Sequence, residues 1–224
     1  MADVVTEGLK HALEAERRIE PKSNLRASWE ALLADARVCQ RCELYKYGTQ
    51  TVFGKGPLDA RIVFVGEQPG DVEDLAGRPF VGPAGKLFDK LLEQAGIDRS
   101  QTYVTNAVKH FKFVLRGKRR IHSKPDAGEI QACRWWIEHE RELIKPAVTV
   151  ALGATAARSL IGKVVTIGKL RGSPIELADG SECWVTMHPS ALLRMPEPER
   201  RLAERRRFVA EMKKIWARAE KLAA

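Results

Sequence analysis

No stretch of this 224-residue chain stays apolar for longer than a strand. The longest runs, Ile62 to Val65 and Ala147 to Leu152, fall far short of the roughly 20 residues that a membrane-crossing helix needs, so no membrane association is expected. The segment Met1 to Glu20 scatters Asp3, Glu7, Glu14 and Glu16 among its apolar residues and lacks the apolar centre of a secretory signal. Cysteine is scarce: Cys39, Cys42, Cys133 and Cys183 are too few for a disulfide scaffold at this length. Internal repeats and low-complexity tracts are missing. So are the Gly-x-Gly-x-x-Gly turn of dinucleotide binders and the Gly-Lys-Ser phosphate loop. These absences leave a soluble chain, with the cytoplasm as its expected location.

What is present suits a globular enzyme. A hydrophobic fraction of 44% beside 30% charged residues excludes wholesale disorder. Lys and Arg number 38 against 29 Asp and Glu, and the resulting +9 favours a polyanionic partner, nucleic acid first. Residues 1–37 read as a helical extension broken by turn chemistry at Pro21 to Asn24, and 38–224 as one domain ending in a charged helix. Within that domain the buried-strand patterns Arg61 to Gly66, Thr102 to Asn106 and Ala147 to Leu152 alternate with helical patterns at Pro83 to Ala95 and Asp126 to Ile144. Ile175 to Leu177 and Cys183 to Met187 flank a hairpin turn, and Lys109 to Pro125 reads as a basic loop. Strands alternating with helices predict an α/β fold: a mostly parallel central sheet covered on both faces, a three-layer α/β/α sandwich.

Sites in such sheets gather at the carboxyl ends of the strands. Gly66-Glu-Gln-Pro-Gly70 follows the first strand, and Glu67, Gln68 and Asp71 concentrate polar chemistry at its buried end. The loop Gly77 to Gly85 carries Phe80, which either stacks on a base or anchors the loop on the sheet. Asn106 offers a paired donor and acceptor that suits an imide edge, although a strand-end cap would explain it too. Lys118-Arg-Arg-Ile-His122 reads as a solvated basic run or as a phosphate-binding loop, and His188-Pro-Ser190 ends the last strand. The pair Cys39-x-x-Cys42 with Cys133 needs a fourth ligand to hold a metal. Cys183 alternates with Val185 and Met187 onto a core-facing strand surface, and His110 is the alternative; two buried free thiols would also account for the pair.

In order along the chain, these segments resemble the uracil-DNA glycosylase superfamily. Gly66-Glu-Gln-Pro-Gly70 is similar to its first motif and His188-Pro-Ser190 to its second. Arg78 to Gly85 and the helix with Ala132-Cys133-Arg134 resemble the iron–sulfur branch, family 4, and the likeness runs from Cys39 to Arg194. His110 stands where that branch usually has cysteine, and the Lys118-Arg-Arg-Ile-His122 loop is an addition. Both features are similar to the X-type members, which bond covalently to DNA after removing uracil. The resemblance implies uracil-containing DNA, single-stranded or duplex, as substrate, free uracil as product and a monomeric enzyme. It implies Glu67, His122 and His188 as catalytic residues and Gly66, Gln68, Asp71, Phe80 and Asn106 around the uracil. Lys118, Arg119, Arg120 and Arg194 would hold phosphates. Cys39, Cys42, His110 and Cys133 would hold a [4Fe–4S] cluster, with zinc as the alternative.

Overall fold

Every residue of strand β1 (Ile62–Gly66) is buried, because helices cover both faces of the sheet it centres. The structure, a computed structural model, describes residues 22–223; the part of the expected helical extension before Lys22 lies outside them. Ahead of β1 runs helix α1 (Lys22–Arg37), and after it come a short helix α2 (Asp71–Ala76), helix α3 (Pro83–Gln94) and strand β2 (Tyr103–Asn106). A hairpin of β3 (Phe113–Arg116) and β4 (Arg119–His122) then leads to the long helix α4 (Ala127–Ile144). Strand β5 (Val148–Leu152), helices α5 (Ala154–Ile161) and α6 (Ile167–Leu170), and strands β6 (Pro174–Glu176) and β7 (Glu182–Thr186) follow. Helices α7 (Pro189–Arg194) and α8 (Pro198–Ala223) close the described chain.

The main sheet has the order β2-β1-β5-β7-β6, parallel except for the edge strand β6. On one face Phe64, Val150 and Leu152 pack with Phe88 and Leu91 of α3 and Phe208 and Met212 of α8. On the other, Val63, Val65 and Ala151 pack with Ile137 of α4 and Ala157 of α5. The alternation of sequence patterns thus corresponds to three layers. A third apolar cluster joins Leu32 and Ala36 of α1 to Cys39, Phe53, Cys133 and Trp136 beside the sheet. Helix α4 starts as its spacing predicts: the Glu129 amide donates to the Asp126 carboxylate at 3.0 Å and the Asp126 amide to Glu129 at 2.8 Å.

Register sets the site. Gly66 of β1 lies opposite Asn106 of β2, and Leu152 of β5 opposite Thr186 of β7, so the next residues in each chain emerge at one edge. The stretch expected as an irregular basic loop is instead an antiparallel hairpin, pairing Phe113 with His122 and Arg116 with Arg119. Gly117, at φ +60°, supplies the left-handed turn between them. Val114 and Leu115 are exposed, so the hairpin has no apolar face for periodicity to reveal.

Candidate active site

At the carboxyl edge of the sheet a cavity of about 500 Å³ opens, walled by Glu67, Phe80, Asn106, His122, His188 and Arg194. Gly66 is a necessity of close approach: a Cβ there would collide with the Asn106 side-chain oxygen and lie 2.8 Å from the tip of the Phe80 ring. Phe80 itself is a non-glycine residue at φ +59°. Its buried ring packs on Phe88 at 5.3 Å between centroids and faces the His188 ring at 6.1 Å. Gly85 lies directly against the Phe80 backbone, where a Cβ would strike the Phe80 carbonyl.

His188 caps helix α7. Its Nδ1 accepts from the Ser190 amide at 3.1 Å and lies 2.8 Å from Ser190 Oγ. A nitrogen that accepts a backbone N–H carries its lone pair, so the ring proton sits on Nε2, which is left to meet a ligand. Burial pushes the His188 pKa down to about 4, against the opposing pull of Glu67. At neutral pH it is therefore an uncharged hydrogen-bond donor. Glu67 is the reverse case. Burial alone would raise its pKa, but hydrogen bonds from His122 and Thr155 outweigh burial and hold the carboxyl below its ordinary value. The His122 Nε2 stands 3.1 Å from Glu67 Oε1, and Thr155 Oγ1 donates to Oε2 at 2.5 Å. Sequence reasoning missed Thr155; its place two residues after Gly153, a strand end already singled out, was the available signal.

Three residues expected at the ligand have other partners. The Gln68 amide is consumed by the hairpin's base: Nε2 donates to the Lys112 and Ser123 carbonyls at 3.1 and 3.0 Å, and Oε1 accepts from the Lys112 amide at 3.1 Å. Arg120, expected on phosphate, donates to Asp71 at 2.5 Å, Asp74 at 2.6 Å and Thr49 at 3.1 Å. It also lies over the Phe111 and Phe113 rings, at 5.5 and 5.2 Å. Asp71, expected on uracil, lines the cavity but directs its carboxylate to Arg120. The physical reason is Asp74, a fully buried carboxylate that requires a cation. Within a run of like charges, sequence does not say which residue turns inward. Together Gln68 and Arg120 fasten the hairpin so that His122 overhangs Glu67. Lys118 and Arg119 are exposed at the hairpin's tip, and Arg194 lies at the cavity wall.

Behind Asn106 lies a buried ion pair that sequence reasoning also missed. Lys109 Nζ and Glu140 Oε2 are 2.5 Å apart with both side chains fully inaccessible. Glu140 also accepts from Tyr103 at 2.9 Å, Thr105 at 3.0 Å and the Gly54 amide at 3.1 Å. Lys109 donates in addition to the Asn106 carbonyl at 3.0 Å. The base of the cavity is therefore fixed by a saturated polar network.

Cys183 lies apart from the other three cysteines. Cys183 sits in the core between sheet and helices, its thiol pushed up to about 12 by burial. Cys39, Cys42 and Cys133 share the third apolar cluster with α1. Among the described residues no group of three or more His, Cys, Asp or Glu side chains has the arrangement of a metal site. The donor chemistry nevertheless fits one. Cys42 has the Cys133 thiol and the His110 ring as neighbours, which, against its burial, pull its thiol down to about 4. His110 is buried with Nε2 3.0 Å from Thr51 Oγ1 and Nδ1 left without a partner. A ligating imidazole shows that pattern, with one nitrogen held by the protein and the other presented to the metal. The Cys39 sulfur accepts from the Trp136 indole at 3.2 Å and the Cys133 sulfur from the Lys109 amide at 3.4 Å.

A mostly parallel sheet with an aromatic, an amide, a carboxylate and a neutral imidazole around one cavity at its carboxyl edge has the layout of an α/β enzyme. The sequence profile of the Uracil DNA glycosylase superfamily matches residues 53–217. The type-4 uracil-DNA glycosylase of Thermotoga maritima is 44% identical over 174 residues, 77% of this chain and 84% of that protein. That of Saccharolobus solfataricus is 35% identical over 189 residues, 80% of this chain and 84% of that protein. A type-5 enzyme of Pyrobaculum aerophilum is 29% identical over 170 residues, 68% of this chain and 71% of that protein. The chain belongs to the uracil-DNA glycosylase superfamily.

Proposed function

We propose that this protein excises uracil from DNA and then joins itself, through His122, to C1′ of the sugar left behind. By family it is a uracil-DNA glycosylase, an enzyme acting on uracil in DNA. The observation that carries the covalent reading is the 3.1 Å contact between His122 and the ionised Glu67 at the cavity wall. Phe80 stacks on the flipped base, and the Asn106 amide pairs with its O4 and N3–H, a pattern reversed in cytosine. Gly66 leaves room for both, while Lys118, Arg119 and Arg194 contact phosphates.

The C1′–N1 bond breaks with its electron pair leaving on uracil N1. Negative charge spreads to O2, where the neutral His188 Nε2–H meets it, and the sugar becomes an oxocarbenium-like cation. Donors aimed at charge that exists only in the transition state are where such a site gains its rate. The lone pair of the His122 nitrogen that Glu67 does not hold forms the new C–N bond to C1′. The proton on the other nitrogen passes to Glu67 and on to the uracil anion, which leaves as free uracil. Imidazole leaves poorly from such a bond, so one turnover ends the reaction.

The similarity to type-4 relatives favours a second reading, in which water captures C1′ and the enzyme turns over many times. In either reading Cys39, Cys42, Cys133 and His110 would hold a [4Fe–4S] cluster, or zinc, as a structural clamp beneath Asn106. We place the enzyme in the cytoplasm as a monomer acting on single-stranded or duplex DNA; no described helix is long and apolar enough to cross a membrane. Incubation with a uracil-containing oligonucleotide, followed by denaturing electrophoresis, tests the proposal. A band of protein plus DNA that survives SDS and heat, absent with thymine or cytosine in place of uracil, is the expected result. Multiple turnover without such a band would establish the hydrolytic reading.

A further inference from the structure

We propose that Glu73 is a positioning residue for base binding: its carboxylate ties the turn after β1 to the loop that carries Phe80, and so holds the stacking ring in place. The inference rests on the assignment of Phe80 to the base. Glu73 lies on α2, buried, and faces two separate loops of the cavity wall. Its Oε1 accepts from the Gly82 amide at 2.8 Å and its Oε2 from the Gly70 amide at 3.2 Å. Neither glycine needs its conformational freedom, since Gly70 is at φ −90° and Gly82 at φ −80°. What each needs is room for the carboxylate. A Cβ on Gly82 would lie 2.9 Å from Glu73 Oε1, and one on Gly70 2.7 Å from Oε2. Two glycines on different loops thus make way for the same side chain.

Phe80 is the reason such a strut is needed. At φ +59° it occupies a region that a non-glycine residue keeps only when its surroundings over-determine it. Gly82 is two residues away, and the Glu73 bond fixes the loop at that point. Only an ionised carboxylate can accept from both amides, because an amide side chain would turn an NH₂ group toward one N–H. The same short helix grips the His122 hairpin through Asp71 and Asp74, so α2 braces opposite walls of the cavity.

The test measures single-turnover uracil release in the full-length protein, reading the maximal rate and the half-saturating protein concentration separately. Affinity for DNA without uracil and thermal unfolding are measured alongside. Glu73→Gln should raise the half-saturating concentration about tenfold, the size of one charge-assisted hydrogen bond, with affinity for DNA without uracil unchanged. Gly82→Ala, which keeps the carboxylate but pushes it off, should do the same and carries the test if Glu73→Gln does not fold. In a Phe80→Ala background, Glu73→Gln should add less than about twofold, because the strut has nothing left to hold. Full additivity in the double variant, or an unchanged half-saturation in folded Glu73→Gln while Phe80→Ala raises it, would overturn the proposal. If Phe80→Ala itself leaves half-saturation unchanged, the assignment of Phe80 to the base fails, and this inference with it.

Discussion

In the proposed reaction His188 offers an uncharged N–H to the leaving base, and the worth of that donor, which alanine would remove, can be set from comparable sites. One preorganised donor to a developing oxyanion contributes about 2.7–4 kcal/mol, or about a hundredfold to a thousandfold in rate, so His188→Ala should slow uracil release by that factor. The sharper test is the pH profile. Burial holds the imidazole at about 4, against about 6.5 for an unburied histidine, so the ring stays neutral across the neutral range. The native protein therefore takes up the His188 proton later than the unfolded chain does. Stability from the neutral ring is fully present above about pH 6.5 and is lost as pH falls through about 4. The step from about 6.5 to about 4 corresponds to at most about 3.4 kcal/mol, and partial exposure of the ring reduces it. The assay is single-turnover uracil release in His122→Ala protein, which removes the cavity's other imidazole. From about pH 8 to about pH 5 the profile should show no step that depends on His188; Glu67, which loses the His122 hydrogen bond in this variant, is common to this protein and its His188→Asn derivative and cancels in the comparison. An inflection near pH 6.5 that disappears on adding His188→Asn would refute a neutral His188.

Three other outcomes follow from the same geometry. Asn106→Ala should lose about 1–3 kcal/mol of base recognition, read as slower uracil release with DNA affinity retained through the exposed hairpin tip; unchanged release would remove Asn106 from the site. Lys109→Met strands a fully buried Glu140 carboxylate and should cost about 3–5 kcal/mol in denaturant unfolding, whereas Lys109→Met with Glu140→Leu should recover most of it. If the single variant loses less than about 1 kcal/mol, the pair is not the anchor described. The purified protein should be brown with broad absorbance near about 400 nm; Cys133→Ala should lose the colour and Cys183→Ala keep it, while a colourless protein with one zinc would replace the cluster but leave the ligands standing.

Chain order and strand ends were enough to read the layered fold. The short β-branched runs at Ile62 to Val65 and Val148 to Leu152, the second interrupted only by Thr149, read as strands covered on both faces, and Asp126 with Glu129 marks a helix start. The cavity's walls were legible for the same reason, since Asn106 ends a parallel strand and Glu67 and His188 each come just after one. Tertiary partners were not. Nothing in Lys118 to His122 distinguishes Arg120, which turns onto buried Asp74, from Lys118 and Arg119, which stay in solvent. Gln68 reads as a ligand-facing amide until the hairpin it supports is seen. Lys109 and Glu140 lie 31 residues apart, and only the packing of α4 against β2 brings them together. Nothing in the sequence singles out Glu73, whose carboxylate reaches two loops.

The proposed reaction ends in a bond between a nitrogen of His122 and C1′ of the sugar. Its most direct test is peptide mapping by mass spectrometry after reaction with a short uracil-containing oligonucleotide and nuclease trimming. One modified peptide is expected, the one containing His122, carrying the abasic sugar fragment with uracil lost in equal amount. His122→Ala protein should give no adduct, and any uracil it releases should leave free abasic DNA. Adduct on another residue, or stoichiometric uracil release from wild-type protein with the His122 peptide unmodified, would contradict the proposal.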